Sequence, residues 1–208
     1  AVDSVVLVID CVKGVEAQTE RLMEVCRMRN TPVIVFINKL DLEGRDPFDL
    51  LDELEEKLSI KVRPMSWPIG IGATFQGVYD LFSKGLRLFD PGKTKLELSS
   101  MRIEDLSDPR LEEGIGEEAA TQLRADIDLI EGVYDPLSLN AYHEGRIAPV
   151  FFGSAFNNFG VKEVLDAFTG IAPSPGPRPT DRGEVAPDDP HFSGFVFKIH
   201  ANLDPNHR

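Results

Sequence analysis

The 208-residue sequence predicts an α/β protein built on a parallel sheet. Three observations carry that expectation. The apolar runs Val5–Ile9, Val33–Ile37 and Pro149–Phe152 are continuous rather than alternating, as strands covered on both faces are. A segment with helical apolar spacing follows each of them. The composition is ordinary for a globular chain, with 42% hydrophobic and 27% charged residues. That balance excludes a collagen, a disordered tail or a disulfide scaffold, and the length supports a core of its own.

Taken in order, the first run ends at Asp10 before a turn at Lys13-Gly14. Residues 17–28 then read as a helix with Leu22, Val25 and Cys26 on one face. Pro32 opens the second run, which ends at Asn38. Asp46-Pro47 starts the next helix, where Phe48, Leu51, Leu54 and Leu58 follow helical spacing and proline takes the first helical position. Residues 61–148 break this rhythm. Pro64, Pro68, Gly70, Gly72 and Gly77 punctuate short apolar pieces, and one amphipathic helix spans 117–131 with Ala120, Leu123, Ile127 and Ile130 on one face. This stretch reads as an insertion carrying β-structure and one good helix. After the third run, Val161, Val164, Leu165 and Phe168 repeat the helical pattern. Six prolines and two glycines between 171 and 190 mark a stiff linker. Beyond it, residues 192–200 alternate as a strand of a new domain, with Phe195, Phe197 and Ile199 on one face. The expected organisation is a sheet domain in two parts, 1–60 and 149–172, an insertion over 61–148, a linker over 173–190, and the start of a further domain over 191–208.

Acidic residues number 35 against 22 basic ones, a net charge of −13. Such a chain is poorly suited to gripping a phosphate backbone over a broad face, so direct DNA binding is not expected. The longest apolar runs have five residues, where a membrane span needs about 20; no membrane partner is expected. Cys11 and Cys26 cannot staple a domain of this size and read as free thiols of a reducing, cytoplasmic compartment. His143, His191, His200 and His207 lack metal-ligand spacing, and no metal site is expected.

The informative motif is Asn38-Lys39-Leu40-Asp41, at the end of the second strand. Open α/β sheets bind ligands at the carboxyl ends of their strands. An aspartate there can accept two hydrogen bonds, from the N1–H and exocyclic amine of guanine, a pair of donors adenine lacks. The Lys39 stem can lie over the base while its ammonium stays solvated, and Asn38 can tie the loop to neighbouring backbone. A polar strand-to-helix turn would use the same residues, with Asp41 and Asp46 as helix-start acids. Gly153-Ser154-Ala155 follows the third strand, and its small residues let a backbone N–H approach the base oxygen. Gly70-Ile71-Gly72 and Gly114-Ile115-Gly116 read as turns. The 208 residues contain no G-x-x-x-x-G-K-[ST] loop to cradle phosphates.

With these motifs in place the sequence resembles the translational GTPases, and within them the bacterial release-factor GTPases. The narrower markers are Pro64-Met65-Ser66-Trp67-Pro68-Ile69-Gly70, Phe151-Phe152-Gly153-Ser154-Ala155 with Asn158-Phe159-Gly160-Val161, and the closing stretch from Gly194 to Arg208. The resemblance implies part of a Ras-like P-loop GTPase sheet with an inserted α+β subdomain, followed by the first strand of a β-barrel domain. It implies GTP or GDP as ligand, with Mg²⁺ only in the intact protein. It assigns guanine contacts to Asn38, Lys39, Leu40, Asp41, Ser154 and Ala155. The implied activity is GTP-driven dissociation of the stop-codon-reading release factors from the ribosome, which are the implied partners. The phosphate loop, the first switch and the D-x-P-G motif would precede Ala1, so residues 1–208 alone are expected to be inactive, with no catalytic residue. Val5–Ile9 would then be an unprotected edge strand, and the chain would be unstable or self-associate through it. An elongation factor G-like or ribosomal protection GTPase shares the guanine motifs, and a non-catalytic α/β scaffold would share the sheet.

Overall fold

The structure, a computed structural model, describes residues 2–89, 100–181, 183–194, 196 and 198–199. The chain forms two units, residues 1–173 and 174–208.

In the first unit, β1 (Val5–Asp10), α1 (Ala17–Met28) and β2 (Val33–Asn38) make a strand–helix–strand repeat whose strands pair in parallel. α2 (Pro47–Leu58) follows, with Asp46 accepting a hydrogen bond from the Phe48 amide at 2.8 Å and Pro47 at the first turn. β8 (Ile147–Phe152) joins the other side of β2, also parallel. The three expected strands therefore lie side by side. A fourth, β3 (Lys61–Pro64), completes the order β1-β2-β8-β3. Sequence reasoning places this segment in the insertion, because Lys-Val-Arg-Pro carries no apolar run. Arg63 is buried there because the guanidinium is satisfied, by the Tyr134 carbonyl at 2.9 Å and by Glu131 at 2.6 Å.

The chain leaves the parallel sheet after β3 and enters an antiparallel sheet of β4 (Ser66–Ile69), β5 (Gly77–Asp80), β6 (Gly85–Leu88) and β7 (Ser100–Arg102). α3 (Pro109–Ile115) and α4 (Glu117–Val133) follow, and α4 buries Ala120, Leu123, Ile127 and Ile130, the expected face. Trp67 locks the two sheets together. Its ring lies 4.5 Å from Phe48 and 5.3 Å from Phe152, and its indole N–H donates to Asp126 at 2.8 Å. α5 (Leu139–His143) returns the chain to β8, and α6 (Val161–Ile171) closes the unit.

Two helix faces differ from expectation. In α1 the buried residue is Met23, with Cys26 half-buried, while Leu22 and Val25 are exposed. In α6, Glu163 and Val164 are buried and Leu165 is exposed. Apolar spacing gives the period of a helix; which edge of the apolar arc meets the sheet is set by the strands beneath it. In the second unit, β9 (Arg178–Thr180) and β10 (Gly183–Val185) form a short antiparallel hairpin within the expected linker. The strand expected over 192–200 includes 195, 197 and 200, which lie outside the described residues, as do 201–208.

Candidate functional site

β1 and β2 end in register, Asp10 beside Asn38, at the carboxyl end of the parallel sheet. The Cys11 amide donates to the Asn38 carbonyl at 3.0 Å, and the chain then turns through Lys39, a non-glycine residue with φ of 72°. That left-handed conformation costs energy and persists where surroundings impose it. Here the surroundings are the Asn38 side chain. Its Oδ1 accepts from the Lys39 amide at 2.8 Å and from the Ala155 amide at 2.8 Å. One side-chain oxygen thus ties the 38–41 loop to the loop after β8. The Leu40 amide adds a bond to the Gly153 carbonyl at 3.2 Å.

The predicted residues separate into two layers. Asn38, Lys39, Asp41 and Ala155 reach the surface, Asn38 and Asp41 half-buried and the other two exposed. Among the described residues nothing hydrogen-bonds the Asp41 carboxylate. Leu40 and Ser154 lie beneath, both fully buried. Leu40 anchors its loop in the core. Ser154 Oγ accepts from Asn157 Nδ2 at 2.9 Å, and its backbone pairs with Phe159 through bonds of 3.0 and 2.9 Å, so it closes its own loop. Gly153 is required by packing: a Cβ there would stand 2.4 Å from the Phe159 carbonyl oxygen and 2.8 Å from the Phe36 ring.

Two residues that no motif announced complete the geometry. Asp10 Oδ2 accepts from Lys39 Nζ at 2.7 Å, so the ammonium, still exposed to water, also has a carboxylate partner. Burial pushes the Asp10 carboxyl up, but the Lys39 hydrogen bond and the amides of Val12 and Lys13 outweigh it and hold it below its ordinary value. The same bond raises Lys39. Cys11 Sγ donates to the Lys39 carbonyl at 3.1 Å, and burial, with the charges of Asp10 and Asp41, pushes its thiol up to about 11. The available signal was an aspartate closing the first apolar run at the same sheet end as Asn38.

Two surface grooves lie elsewhere, one beside Lys61, Asp135 and Arg146, the other between β4 and the start of α4. Among the described residues no three His, Cys, Asp or Glu side chains converge as a metal site requires. No described helix is long and apolar enough to cross a membrane. Asp41, half-buried and with no hydrogen bond to its carboxylate among the described residues, stands beside two loops tied through one carboxamide, and its two oxygens can accept from a pair of adjacent N–H groups.

The chain has a parallel α/β sheet with the 38–41 and 153–159 loops at its strand carboxyl ends, where open α/β sheets bind their ligands. Residues 1–174 match the elongation factor Tu GTP binding domain, and the chain belongs to that family, a family of translational GTPases. A crystal structure of a protein from Thermus thermophilus has the same fold over 85% of this chain, with a TM-score of 0.59 and 23% sequence identity. This chain spans 28% of the length of that protein.

Proposed function

We propose that residues 1–172 carry the guanine-reading part of a GTPase that binds GTP and GDP through Asn38, Lys39, Leu40, Asp41, Ser154 and Ala155. The observation that carries this reading is the Asn38 carboxamide, which binds the Lys39 and Ala155 amides together and leaves Asp41 free at the surface. In this reading Asp41 accepts from N1–H and the 2-amino group, and the Lys39 stem, held by Asp10, covers the base. The Ala155 amide turns from Asn38 toward the base oxygen or shares its hydrogen with it. Leu40 and Ser154 act from below, by holding their loops. The insertion of this reading leaves the parallel sheet after Pro64 and returns to it at Ile147.

The test is base choice in the full-length protein. Asp41→Asn weakens GTP binding about 10- to 100-fold, because a charge-assisted pair of about 1.5–3 kcal/mol is lost. It improves xanthosine triphosphate binding, because the amide donates to the C2 oxygen that the carboxylate repels. Unchanged binding of both nucleotides would remove Asp41 as the base reader.

The finer reading is that the protein acts as peptide chain release factor 3, dissociating the stop-codon-reading factors from the ribosome. Its support is the run of narrower sequence markers, above all 64–70 and 194–208. Full-length protein with GTP should shorten the residence of those factors on termination ribosomes. Promotion of translocation instead would make it elongation factor G-like.

A further inference from the structure

The two base loops share a support that the guanine reading does not use. Both rest on the antiparallel sheet of the insertion. On one side, the Gly72 amide, in the 3₁₀ turn between β4 and β5, donates to the Leu40 carbonyl at 2.8 Å. On the other, Phe159 closes the 154–159 loop and buries its ring between Phe75 and Phe89, edge-on to each at 5.6 and 5.4 Å. Phe75 and Phe89 contact each other at 5.1 Å, so the three rings form a closed cluster. Phe75 and Phe89 flank β5 and β6, and the Phe89 amide donates to the Gln76 carbonyl at 2.7 Å, which fixes both to the inserted sheet. A further tie starts from β6. The Arg87 guanidinium stands 3.2 Å from the buried Glu163 carboxylate, in the first turn of the helix that follows this loop.

We propose that the inserted sheet positions the base-reading loops, with Phe75 and Phe89 setting the place of the 153–159 loop through the Phe159 ring. They are positioning residues: their rings touch Phe159, and Phe159 holds by backbone bonds the loop that presents the Ala155 amide. The alternative role for three packed rings is bulk stability, which has no reason to favour one edge of a base over another. Base edges therefore separate the two roles. This inference rests on the guanine reading and adds to it which part of the molecule sets the fit at the base oxygen.

The experiment uses full-length protein and three nucleotides: GDP, inosine diphosphate and 6-thioguanosine diphosphate. Inosine diphosphate lacks only the amine that faces Asp41. The thio analogue differs only where the base meets the 153–159 loop. Phe89→Ala, a half-buried ring, and Phe75→Leu, which keeps apolar volume, are the variants. In each, the preference for GDP over the thio analogue should shrink roughly two- to tenfold, the range that loss of an aromatic pair supplies. The preference for GDP over inosine diphosphate should stay as in the unmodified protein. Equal weakening of all three nucleotides, or unchanged ratios in a variant with a cooperative melt, overturns the positioning role. Failure of the guanine reading looks different: the unmodified protein would then show no preference for GDP over inosine diphosphate, and Asp41→Asn no gain for xanthine.

Discussion

β1 and β2 share one pattern, five apolar residues closed by a polar one, Val-Val-Leu-Val-Ile-Asp and Val-Ile-Val-Phe-Ile-Asn, and lie in register side by side. Their burial differs. Every residue of β2 from Val33 to Ile37 is buried, whereas β1 buries only Leu7 and Ile9. The difference follows the faces of the sheet. Leu7, Ile9, Val33, Val35 and Ile37 share a core with α2, α4 and the insertion. Ile34 and Phe36 point the other way, into a second core with Val164, Ile171 and Tyr142. Among the described residues that second core stops at β2. Val6 and Val8, register partners of Ile34 and Phe36, remain 42% and 55% exposed. A continuous β-branched run thus tells that a strand can be covered on both faces; the neighbours decide whether it is.

The second core should show the greatest loss of stability on mutation. Phe36→Ala should cost about 3–5 kcal/mol, and Val8→Ala, one register step away, less than about 1 kcal/mol. Denaturant midpoints of the two variants measure the gap. Equal costs would mean that something covers the outer face of β1. Next comes Gly153→Ala, where the added methyl collides with the Phe159 carbonyl and the Phe36 ring. A loss of about 1–3 kcal/mol is expected, typical of overpacking; a neutral melt would show that the loop yields.

A smaller effect lies at the strand ends, where Asp10 has Lys39 as its partner and Asn38 has two amides. The folded Asp10 carboxyl lies below its ordinary value, so its contribution is complete above the ordinary carboxylate range. It is lost as pH falls through the lowered folded value. Asp10→Asn should flatten the acid limb of a stability–pH curve and leave Asn38-dependent loop order intact. An unchanged acid limb would exclude Asp10 as its source. The smallest effect on stability belongs to Val6→Lys on the exposed face of β1, expected within about 0.5 kcal/mol. Its readout is association instead. Among the described residues β1 is the end strand of its sheet, and none of Val5–Ile9 carries a charge or proline to blunt it. Sizing across a concentration series should show less self-association in the lysine variant; identical profiles would clear this edge.

The strands β1, β2 and β8 and the helix starts at Pro47 and Glu117 were legible because each rests on local pattern: apolar runs, an Asp-Pro start, a period of 3.6; that the three strands lie side by side came only from the family resemblance. The position of the candidates Asn38 and Asp41 at a strand end was legible for the same reason, since they lie within four consecutive residues. What escaped was long-range. Lys61–Pro64 pairs with β8, and its buried Arg63 is satisfied by Glu131 and the Tyr134 carbonyl, far along the chain. Asp10 serves Lys39 across the strand pair. Phe75, Phe89 and Phe159 form one cluster from three separate segments, and nothing in their spacing announces it. Period alone assigns Leu22 and Leu165 to cores, and the phase of the helix puts them in solvent.

Cys11 sits under the Lys39 carbonyl with its sulfur sealed, while Cys26 lies half-buried on α1. The two thiols therefore keep different time against an alkylating reagent. Cys26 reacts as fast as its helix breathes. Cys11 waits for the turn at Lys39 to lift, because a buried, protonated thiol hydrogen-bonded to a carbonyl gives the reagent no thiolate. The ratio of their labelling rates is a clock for the opening of the 38–41 loop, wound into the chain without any added probe. A ligand that settles on that loop should slow one hand of the clock and leave the other running.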